Sequence, residues 1–548
     1  MQISFIKYIE ESIKNNWSKP SLTDYKGETS SFKDVARKIE KLHILFENCG
    51  LKKGDKIALC GRNSSHWGIA FLATLTYGAV AVPILSEFKP DNIHNIVNHS
   101  EAKFLFAGDN IWENLDYEEM SNVDAIFRIE DYSLRASNKK QIFEVRNTLN
   151  KLFGKKHPDR FEKNDVKYDS ENIDDLAIIN YTSGTTSFSK GVMLSYKSLW
   201  SNLQFGIDNL NFDNGGSIVS MLPMAHMYGL AFEFICEFVM GLHIYFLSKT
   251  PSPKVIFEAF ATIKPNLIVT VPLIIEKIIR KKIFPTIEKP HMKLLMNIPF
   301  VNTKVRDNIL QKFIEAFGGN FMQMIIGGAA MNKEVEKFLK SINFPYTIGY
   351  GMTECGPLLT YDHWTKFKTG SCGKAVDRLK LRIDSPDQEN IPGEILAKGD
   401  CVMMGYYKNP EATAETLDKD GWLHTGDMGI IDNEGNLFIK GRIKNMILGP
   451  SGQNIYPEEI ESIINNLEFV NESIVIDKAN KLVALIHPDY DEIREAQIKD
   501  YDIEEVIWEK IKATNLTLPA FSQISEIKIF IEEFEKTPKR SIKRYLYQ

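Results

Sequence analysis

Residues 176–196 read LAIINYTSGTTSFSKGVMLSY, in which two apolar runs enclose a loop of small and hydroxyl-bearing residues. Between Tyr181 and Gly191 the loop holds six Ser or Thr residues, two glycines and Lys190. Glycine lets a backbone approach a phosphate closely, hydroxyl and backbone N–H groups donate to its oxygens, and lysine adds a positive charge. The pattern therefore predicts a phosphate-binding loop between two strands, with an ordinary Ser/Thr/Gly turn as the alternative. The loop is not of the Walker A type, because Ser189 stands where that motif needs its second glycine.

Short apolar runs alternate with helical patterns on both sides of this loop. The predicted strands are Asp55–Cys60, Ala79–Pro83, Ala177–Tyr181, Ile218–Leu222, Ile244–Leu247, Leu267–Val271 and Met322–Ile326, and Ser65–Tyr77 is a predicted helix. Strands separated by segments of helix length indicate parallel sheets packed between helices. The predicted fold class is therefore α/β, with a large N-terminal domain of parallel-rich sheets sandwiched by helices.

The pattern changes after about residue 380. Short strands joined by Gly-containing turns are predicted at Gly393–Ala397, Gly429–Asp432 and Asn436–Lys440, with a hairpin tip at Asn433–Gly435. They predict a small β-barrel-like subdomain. After Gly441, helices at Pro457–Asn466 and Ile503–Thr514 and strands at Ser473–Ile476, Lys481–Ile486 and Ser525–Ile531 predict a small α+β C-terminal domain.

The composition excludes several classes of protein. The 548 residues are 43% hydrophobic and 25% charged, with a formal net charge of −6, which gives no basic excess for binding nucleic acid. The six cysteines include no CxxC pair, so neither a zinc ribbon nor a disulfide framework is predicted. Residues 1–17 have the pattern of an amphipathic helix, and no apolar run approaches the ~20 residues of a membrane span. We therefore expect a cytoplasmic protein with reduced thiols.

Several further motifs follow the phosphate loop in a fixed order. They are LPMAHMYG at Leu222–Gly229, KPNLIVTVPLIIEKI at Lys264–Ile278, IIGGAAM at Ile325–Met331, GYGMTECGP at Gly349–Pro357, HTGDMG at His424–Gly429, GRIKNMI at Gly441–Ile447 and NIYPEEIE at Asn454–Glu461. As a set, from about Lys53 to Arg544, they resemble the adenylate-forming superfamily of acyl-CoA synthetases, luciferases and peptide-synthetase adenylation domains. The resemblance is closest to the long-chain fatty acyl-CoA ligases. It implies an AMP-binding domain at residues 1–443 and a mobile C-terminal domain at residues 444–548, which swings about Lys444 between two half-reactions.

The resemblance implies a site for ATP and Mg²⁺, with coenzyme A as co-substrate. It assigns Lys190 to the β- and γ-phosphates, Thr185 and Glu354 to Mg²⁺, and Asp427 to the ribose hydroxyls. The implied nucleotide-binding residues are Thr182, Ser183, Gly184, Thr185, Thr186, Lys190, Gly328, Ala329, Ala330, Tyr350, Gly351, Met352, Thr353, Asp427, Arg442 and Lys444. The implied catalytic residues are Lys190, Thr185, Glu354, His226 and Lys543.

Several of these assignments have a structural alternative. Glu354 is otherwise a solvated loop carboxylate, Asp427 a turn-forming residue and Arg442 a surface arginine. Tyr350 either stacks on adenine or belongs to the core, and His226 either orients the substrate carboxylate or forms part of the pocket wall. Four further residues either line an acyl tunnel or form plain core: Met224, Met227, Phe232 and Phe234.

Two stretches depart from the family pattern. In the C-terminal tail, Ser541 occupies the position of a lysine that, in the family, bonds the substrate carboxylate and the α-phosphate. Lys539 and Lys543 flank this position, and Lys543 is favoured to take over the role. In the phosphate loop, Ser187 and Ser189 stand where Gly and Pro are usual.

The resemblance implies a two-step ligase. A fatty acid, with long chains favoured, attacks ATP to give acyl-AMP and pyrophosphate, and the thiol of coenzyme A then displaces AMP to give the thioester. The alternatives are an acyl carrier protein as thiol acceptor, an aryl or short-chain acid as substrate, and a non-catalytic acyl-adenylate binding protein, which Ser541 alone suggests. The basic cluster Arg280-Lys281-Lys282 could contact an anionic membrane surface peripherally, although a solvated helix end is favoured. The sequence does not indicate whether the protein is a monomer or an oligomer.

Overall fold

The structure is a computed structural model of the chain. It describes residues 4–182, 189–210, 212, 216–247, 252–287, 301–449, 453–479, 481–537 and 542–547.

Two large, mostly parallel sheets form the centre of the N-terminal region. The first contains, in spatial order, strands Tyr346–Ile348, Gln323–Ile326, Leu267–Thr270, Ser217–Ser220, His243–Phe246, Pro20–Asp24 and Thr29–Ser31. Its neighbours are parallel except for the antiparallel pair at residues 20–31. The second contains Gly405–Tyr406, Lys190–Ser195, Leu176–Thr182, Val80–Ile84, Lys56–Cys60, Ala102–Ala107, Ala125–Arg128 and Leu134–Ser137, with antiparallel pairs at both edges. These sheets confirm the predicted α/β class.

Helices connect the parallel strands. Ser65–Tyr77 follows strand Lys56–Cys60; it begins where the Ser64 side chain accepts a hydrogen bond from the Trp67 N–H and ends at Gly78, whose φ is 83°. The helices of the N-terminal region are Phe5–Asn15, Phe32–Asn48, Ser65–Tyr77, Pro90–Ser100, Asp109–Trp112, Lys140–Lys156, Tyr196–Asn209, Met227–Leu230, Ala231–Ile235, Cys236–Val239, Pro253–Ile263, Pro272–Ile278, Ile279–Ile283, Phe284–Ile287, Val301–Ala316, Lys333–Ser341 and Pro410–Thr416. Short 3₁₀ turns lie at Lys163–Asp165, Thr353–Cys355 and Ile443–Asn445.

Two smaller antiparallel sheets lie between residues 350 and 442, and the second of them falls in the region where the sequence predicts a barrel-like subdomain. One contains Tyr350–Gly351, Leu358–Tyr361 and Lys374–Ala375, and the other contains Leu379–Asp384, Gly393–Gly399, Leu423–Ile431 and Leu437–Arg442. The predicted hairpin is present: Ile431 pairs with Leu437, and Gly435 at its tip has φ 86°.

The C-terminal residues form a separate α+β unit. Its strands are Ile447–Leu448, Asn454–Ile455, Val470–Lys478, Lys481–Pro488 and Glu526–Ile529, and its helices and 3₁₀ turns are Pro457–Ile464, Tyr490–Glu495, Asp500–Asp502, Ile503–Asn515, Ala520–Ser522 and Arg544–Leu546. The apolar faces of its helices and its central sheet pack around a core of their own that includes Ile464, Ala484 and Ile507.

No helix within the described ranges is long and apolar enough to cross a membrane.

Candidate active site

The predicted motifs converge at one edge of the first sheet. Strands Ser217–Ser220, Leu267–Thr270, Gln323–Ile326 and Tyr346–Ile348 are parallel neighbours, so their carboxyl ends meet at the same edge. The segments that follow three of these strands carry LPMAHMYG, GGAAM and GYGMTE. In open α/β sheets, ligands bind at this edge.

The predicted phosphate loop lies between two antiparallel strands of the second sheet, Leu176–Thr182 and Lys190–Ser195. Thr182 lies opposite Lys190 across the hairpin, and the Thr182 hydroxyl is 3.4 Å from the Lys190 carbonyl oxygen. Ser183, Gly184, Thr185 and Thr186 lie outside the described residues, as does Ser187. The roles predicted for these residues therefore remain predictions.

Tyr406 contacts both Lys190 and Glu354. Its hydroxyl donates to Glu354 Oε1 at 2.9 Å, and the Lys190 ammonium lies 4.7 Å from the centre of its ring. Strand Gly405–Tyr406 brings it there by pairing with the strand that begins at Lys190. The sequence analysis missed Tyr406; the available signal was a pair of adjacent tyrosines directly after a glycine.

A second cluster surrounds Asp427. The Tyr350 hydroxyl donates to Asp427 Oδ2 at 2.6 Å, and Arg442 Nε lies 3.0 Å from Asp427 Oδ1. Asp427 and Arg442 face each other across adjacent strands. Burial raises the pKa of Asp427, while Arg442 and the Tyr350 hydroxyl act in the opposite direction. The Asp427 charge in turn raises the pKa of Arg442.

The two clusters lie close together. The negative charge of Glu354 contributes to raising the pKa of both Asp427 and Arg442. Tyr350 and Glu354 are only four residues apart, and the turn between them needs Gly351: a side chain there would meet the Pro357 carbonyl oxygen at 2.3 Å. Lys190, Glu354 and Asp427 are thus connected through Tyr406, Tyr350 and the turn between residues 350 and 354, and together they form one candidate site.

The Glu394 carboxylate fixes the turn that presents Asp427. Its Oε1 accepts from the Gly426 N–H at 2.9 Å, and its Oε2 lies 2.8 Å from His424 Nδ1. The Thr425 hydroxyl donates to the Ile395 carbonyl oxygen at 2.7 Å. The turn itself uses Gly426 at φ 71°, a conformation that glycine adopts without strain. The sequence analysis did not single out Glu394, since nothing in its local pattern distinguishes it from a surface carboxylate.

The segment LPMAHMYG lies against the turn that carries Gly327 and Gly328. His226 Nδ1 accepts from the Tyr228 N–H at 3.3 Å and so caps a short helix. The Tyr228 hydroxyl donates to the Ile325 carbonyl oxygen at 3.2 Å, and a side chain at Gly327 would meet the Tyr228 ring at 3.1 Å. The next residue, Gly328, has φ 86°, and Gly328, Ala329 and Ala330 are exposed.

Four apolar residues of this segment are buried. Met224, Met227, Phe232 and Phe234 are each at most 3% exposed. They pack in the main hydrophobic cluster of the N-terminal region. In this structure they are therefore core residues, and an acyl tunnel along them would require the core to open.

Comparison with known proteins identifies the family. The sequence model of the AMP-binding enzyme family matches residues 9–407, and that of the AMP-binding enzyme C-terminal domain matches residues 444–547. The chain belongs to the AMP-binding enzyme family. The site just described lies mostly within the first of these matches, and Asp427 and Arg442 lie between the two.

Relatives of this AMP-binding enzyme include acid–CoA ligases. It is 26% identical over 564 residues to 4-coumarate-CoA ligase 1 of Narcissus pseudonarcissus, covering 98% of this chain and 92% of the relative. It is 27% identical over 479 residues to the peroxisomal long chain acyl-CoA synthetase 6 of Arabidopsis thaliana, and the match covers 81% of this chain and 66% of that relative. The solved structure of ATP-bound MatB from Rhodopseudomonas palustris has the same fold, with a TM-score of 0.75 over 99% of this chain and 98% of that one, at 21% identity.

The C-terminal unit of the AMP-binding enzyme contacts the N-terminal region. Arg280 Nη1 donates to the Asn465 carbonyl oxygen at 2.8 Å, and the Asn332 amide donates to the Asn466 side chain. Arg280 is therefore not the solvated helix end that the sequence favoured. The side chains of Lys281 and Lys282 lie outside the described part of the chain.

The candidate residues of the hinge and tail take different positions. Lys444 is exposed in the 3₁₀ turn Ile443–Asn445. The Lys543 ammonium pairs with the Glu535 carboxylate, and the Lys543 N–H donates to the Glu535 carbonyl oxygen at 2.8 Å. Lys539 and Ser541 lie outside the described residues. In this structure the tail thus holds Lys543 within the C-terminal unit.

Proposed function

We propose that this AMP-binding enzyme is a fatty acid–CoA ligase: it joins a fatty acid to AMP with release of pyrophosphate and then transfers the acyl group to coenzyme A. The observation that carries the proposal is the pairing of two clusters in one site. Lys190, Tyr406 and Glu354 suit a triphosphate and its metal ion, and the buried Asp427 carboxylate suits a pair of ribose hydroxyls.

The donor set fits ATP and Mg²⁺. Glu354 supplies one carboxylate whose Oε2 accepts no hydrogen bond from any described residue, and Mg²⁺ is commonly held by one or two carboxylates together with phosphate oxygens. The proposed second protein ligand is Thr185. Bound Mg²⁺ supplies positive charge that neutralises the phosphate oxygens. Lys190 adds a further positive charge where pyrophosphate departs.

Different residues are proposed for the nucleoside and the acid. Asp427 accepts from the ribose hydroxyls and Arg442 binds ribose or phosphate beside it, while Tyr350 borders the adenine. Gly328, Ala329 and Ala330 and the stretch Gly351–Thr353 supply backbone groups, and His226 orients the substrate carboxylate. The MatB relative, whose structure is described as ATP bound, supports ATP as the nucleotide.

Long-chain fatty acids are the proposed substrates. The long chain acyl-CoA synthetase of Arabidopsis among the relatives supports this choice, as does the resemblance of the motif set to the long-chain fatty acyl-CoA ligases. An aryl acid is the second candidate, because the 4-coumarate ligase of Narcissus aligns with 98% of this chain.

The transfer to coenzyme A is proposed to use a domain movement. The proposed domains are residues 1–443 and 444–548, with Lys444 at the hinge. The proposed substitute for the family's tail lysine is Lys543, which must then leave Glu535 before it can reach the carboxylate and the α-phosphate.

A substrate panel tests this function. Purified enzyme is given ATP and Mg²⁺ with acetate, octanoate, palmitate, oleate or 4-coumarate, and acid-dependent pyrophosphate exchange is measured; AMP release is then measured with coenzyme A added. We expect exchange and AMP release to be highest with palmitate or oleate. In the Glu354→Gln variant we expect exchange to fall by about 100-fold, since it removes a charge that binds the metal. Glu411→Gln, at an exposed carboxylate of helix Pro410–Thr416, is the matched control and keeps wild-type activity.

Other outcomes assign other functions. Highest exchange with 4-coumarate makes the enzyme an aryl acid ligase. Exchange without coenzyme A-dependent AMP release indicates another thiol acceptor, such as a carrier protein. No exchange with any acid, despite measurable ATP binding, contradicts the ligase and supports a non-catalytic adenylate-binding protein.

A further inference from the structure

Tyr406 contacts two groups of opposite charge in the proposed phosphate site. Its hydroxyl donates to Glu354 Oε1 at 2.9 Å, and its ring face lies 4.7 Å from the Lys190 ammonium. Glu354 and Lys190 belong to different elements, the 3₁₀ turn Thr353–Cys355 and the strand Lys190–Ser195. One side chain therefore contacts both charged groups.

Tyr406 is itself held firmly. Its backbone N–H donates to the Thr413 hydroxyl at 2.9 Å, and its side chain is almost fully buried. The neighbouring segment is fastened to the same turn, because the Met403 N–H donates to the Glu354 carbonyl oxygen at 2.8 Å. A tyrosine hydroxyl is protonated at neutral pH, so it can donate to the Glu354 carboxylate.

The contacts of Tyr406 bear on the attraction between Lys190 and Glu354. A lysine and a glutamate that both serve phosphate and Mg²⁺ attract each other strongly when no ligand separates them. Yet neither Lys190 nor Glu354 forms an ion pair with another described residue; both contact Tyr406 instead. An aromatic face is a weaker partner for an ammonium than a carboxylate is, so phosphate can displace it.

We propose that Tyr406 is a positioning residue of the triphosphate and metal site: its hydroxyl orients the Glu354 carboxylate toward Mg²⁺, and its ring keeps Lys190 from pairing with Glu354. This inference deepens the proposed function and rests on it. Tyr406 itself touches neither the acid nor the thiol in this proposal.

The chain offers a matched control in the next residue. The Tyr407 hydroxyl donates to Glu101 Oε2 at 3.0 Å, so both tyrosines donate to a glutamate. Glu101 also pairs with Lys408 at 3.0 Å and lies outside the proposed site. Tyr406→Phe and Tyr407→Phe therefore delete chemically equivalent hydrogen bonds, only one of which serves Glu354.

The test measures binding of a non-hydrolysable ATP analogue, the β,γ-imido form, by calorimetry over a series of Mg²⁺ concentrations. For Tyr406→Phe we expect the Mg²⁺ concentration for half-maximal binding to rise about 10-fold, as is usual when a hydrogen-bond partner of a metal ligand is removed. Its affinity for the analogue without Mg²⁺ stays within about twofold of wild type. Tyr406→Leu also frees Lys190 to pair with Glu354, and we expect it to weaken metal-free binding by about fivefold or more. Tyr407→Phe leaves both quantities unchanged.

A double variant separates this role from general destabilisation. If Tyr406 acts through Glu354, adding Tyr406→Phe to Glu354→Gln produces no further rise in the Mg²⁺ requirement, whereas independent effects add. Thermal unfolding midpoints are measured for every variant, and the phenylalanine variants are expected to match wild type.

The outcomes distinguish failure of the positioning role of Tyr406 from failure of the proposed ligase function. Wild-type enzyme that binds the analogue with Mg²⁺, together with an unchanged Mg²⁺ requirement in Tyr406→Phe or additive effects in the double variant, overturns the positioning role and leaves the ligase proposal standing. Wild-type enzyme that binds no analogue at any Mg²⁺ concentration overturns both.

Discussion

The two oxygens of the Asp427 carboxylate have different partners, and both partners are donors. Arg442 Nε lies 3.0 Å from Oδ1 and the Tyr350 hydroxyl 2.6 Å from Oδ2. Two donors hold the buried carboxylate in one orientation, although burial alone raises its pKa. A carboxylate held in one orientation can accept hydrogen bonds from the two adjacent ribose hydroxyls without first having to reorient.

Asp427→Asn tests this role at the scale of one residue. The amide keeps the shape but loses the negative charge, and a hydrogen bond to a charged group contributes about 1.5–3 kcal/mol. We therefore expect the KM for ATP in pyrophosphate exchange to rise about 10- to 100-fold, while the KM for the acid changes less than about threefold. Asp384→Asn, at an exposed carboxylate of the same small sheet, is the control. Equal rises in both KM values would contradict a specific ribose role for Asp427.

The helical segment from Met227 to Val239 carries two carboxyl groups into the core. Glu233 and Glu237 are both 0% exposed. Glu233 Oε2 accepts from the N–H groups of Met221 and Leu222 at 2.9 and 2.8 Å, so it fastens the strand end that leads into LPMAHMYG. For Glu237, neither carboxyl oxygen has a hydrogen-bond partner in the described part of the chain. Burial raises the pKa of Glu237 to about 8.

The raised pKa of Glu237 predicts that the stability of the folded protein depends on pH. The folded chain keeps its proton on Glu237 up to about pH 8, whereas the unfolded chain releases it near pH 4.5, so the unfolded state binds fewer protons in between. The stabilisation that comes from keeping Glu237 protonated is complete below about pH 4.5. As the pH rises from there toward 8, the free energy of unfolding falls by about 1.4 kcal/mol per pH unit. We expect the free energy of unfolding of wild type, relative to Glu237→Gln, to fall with this slope between pH 5 and pH 8.

Denaturant unfolding at several pH values measures the slope. Glu11→Gln, at an exposed carboxylate of helix Phe5–Asn15, is the control and should run parallel to wild type. Parallel curves for wild type and Glu237→Gln would mean that Glu237 is ionised in the folded protein, against the burial argument.

Local patterns predicted many of the elements but not the contacts between them. Helix Ser65–Tyr77 has the predicted bounds, and strand Lys56–Cys60 differs from its prediction by one residue, because apolar runs and Gly or Ser boundaries decide such elements locally. The hydrogen bond from Tyr406 to Glu354 joins residues 52 positions apart, and no local pattern encodes it. The burial of Glu237 was equally unpredictable, since a charged residue in an apolar run normally marks an exposed face.

The whole molecule depends on how the C-terminal unit meets the N-terminal region. Arg280 donates to the carbonyl oxygen of Asn465, the residue that ends helix Pro457–Ile464. A cation at this position satisfies an unpaired carbonyl group and complements the negative end of the helix dipole. Beside it, Glu276 Oε1 accepts from the Asn332 N–H at 2.7 Å, and the Asn332 amide bonds Asn466. Because Asn332 directly follows the turn with Gly328, this contact links the orientation of the C-terminal unit to the site.

Arg280→Met tests whether this contact biases the proposed domain movement. Lys543, proposed for the first half-reaction, is bound to Glu535 in this orientation, so the Arg280 contact is expected to favour the second half-reaction. Without it, we expect thioester formation to fall by about three- to tenfold relative to pyrophosphate exchange, in line with the loss of one hydrogen bond from a partly exposed charged group. The KM for ATP should stay within twofold, since Arg280 is not among the residues proposed to bind the nucleotide. Lys277→Met removes an exposed charge from the preceding turn and serves as the control. Suppose that the ratio of thioester formation to pyrophosphate exchange is unchanged in both Arg280→Met and Lys277→Met. The Arg280 contact would then hold the C-terminal unit in this structure without affecting the balance between its two orientations.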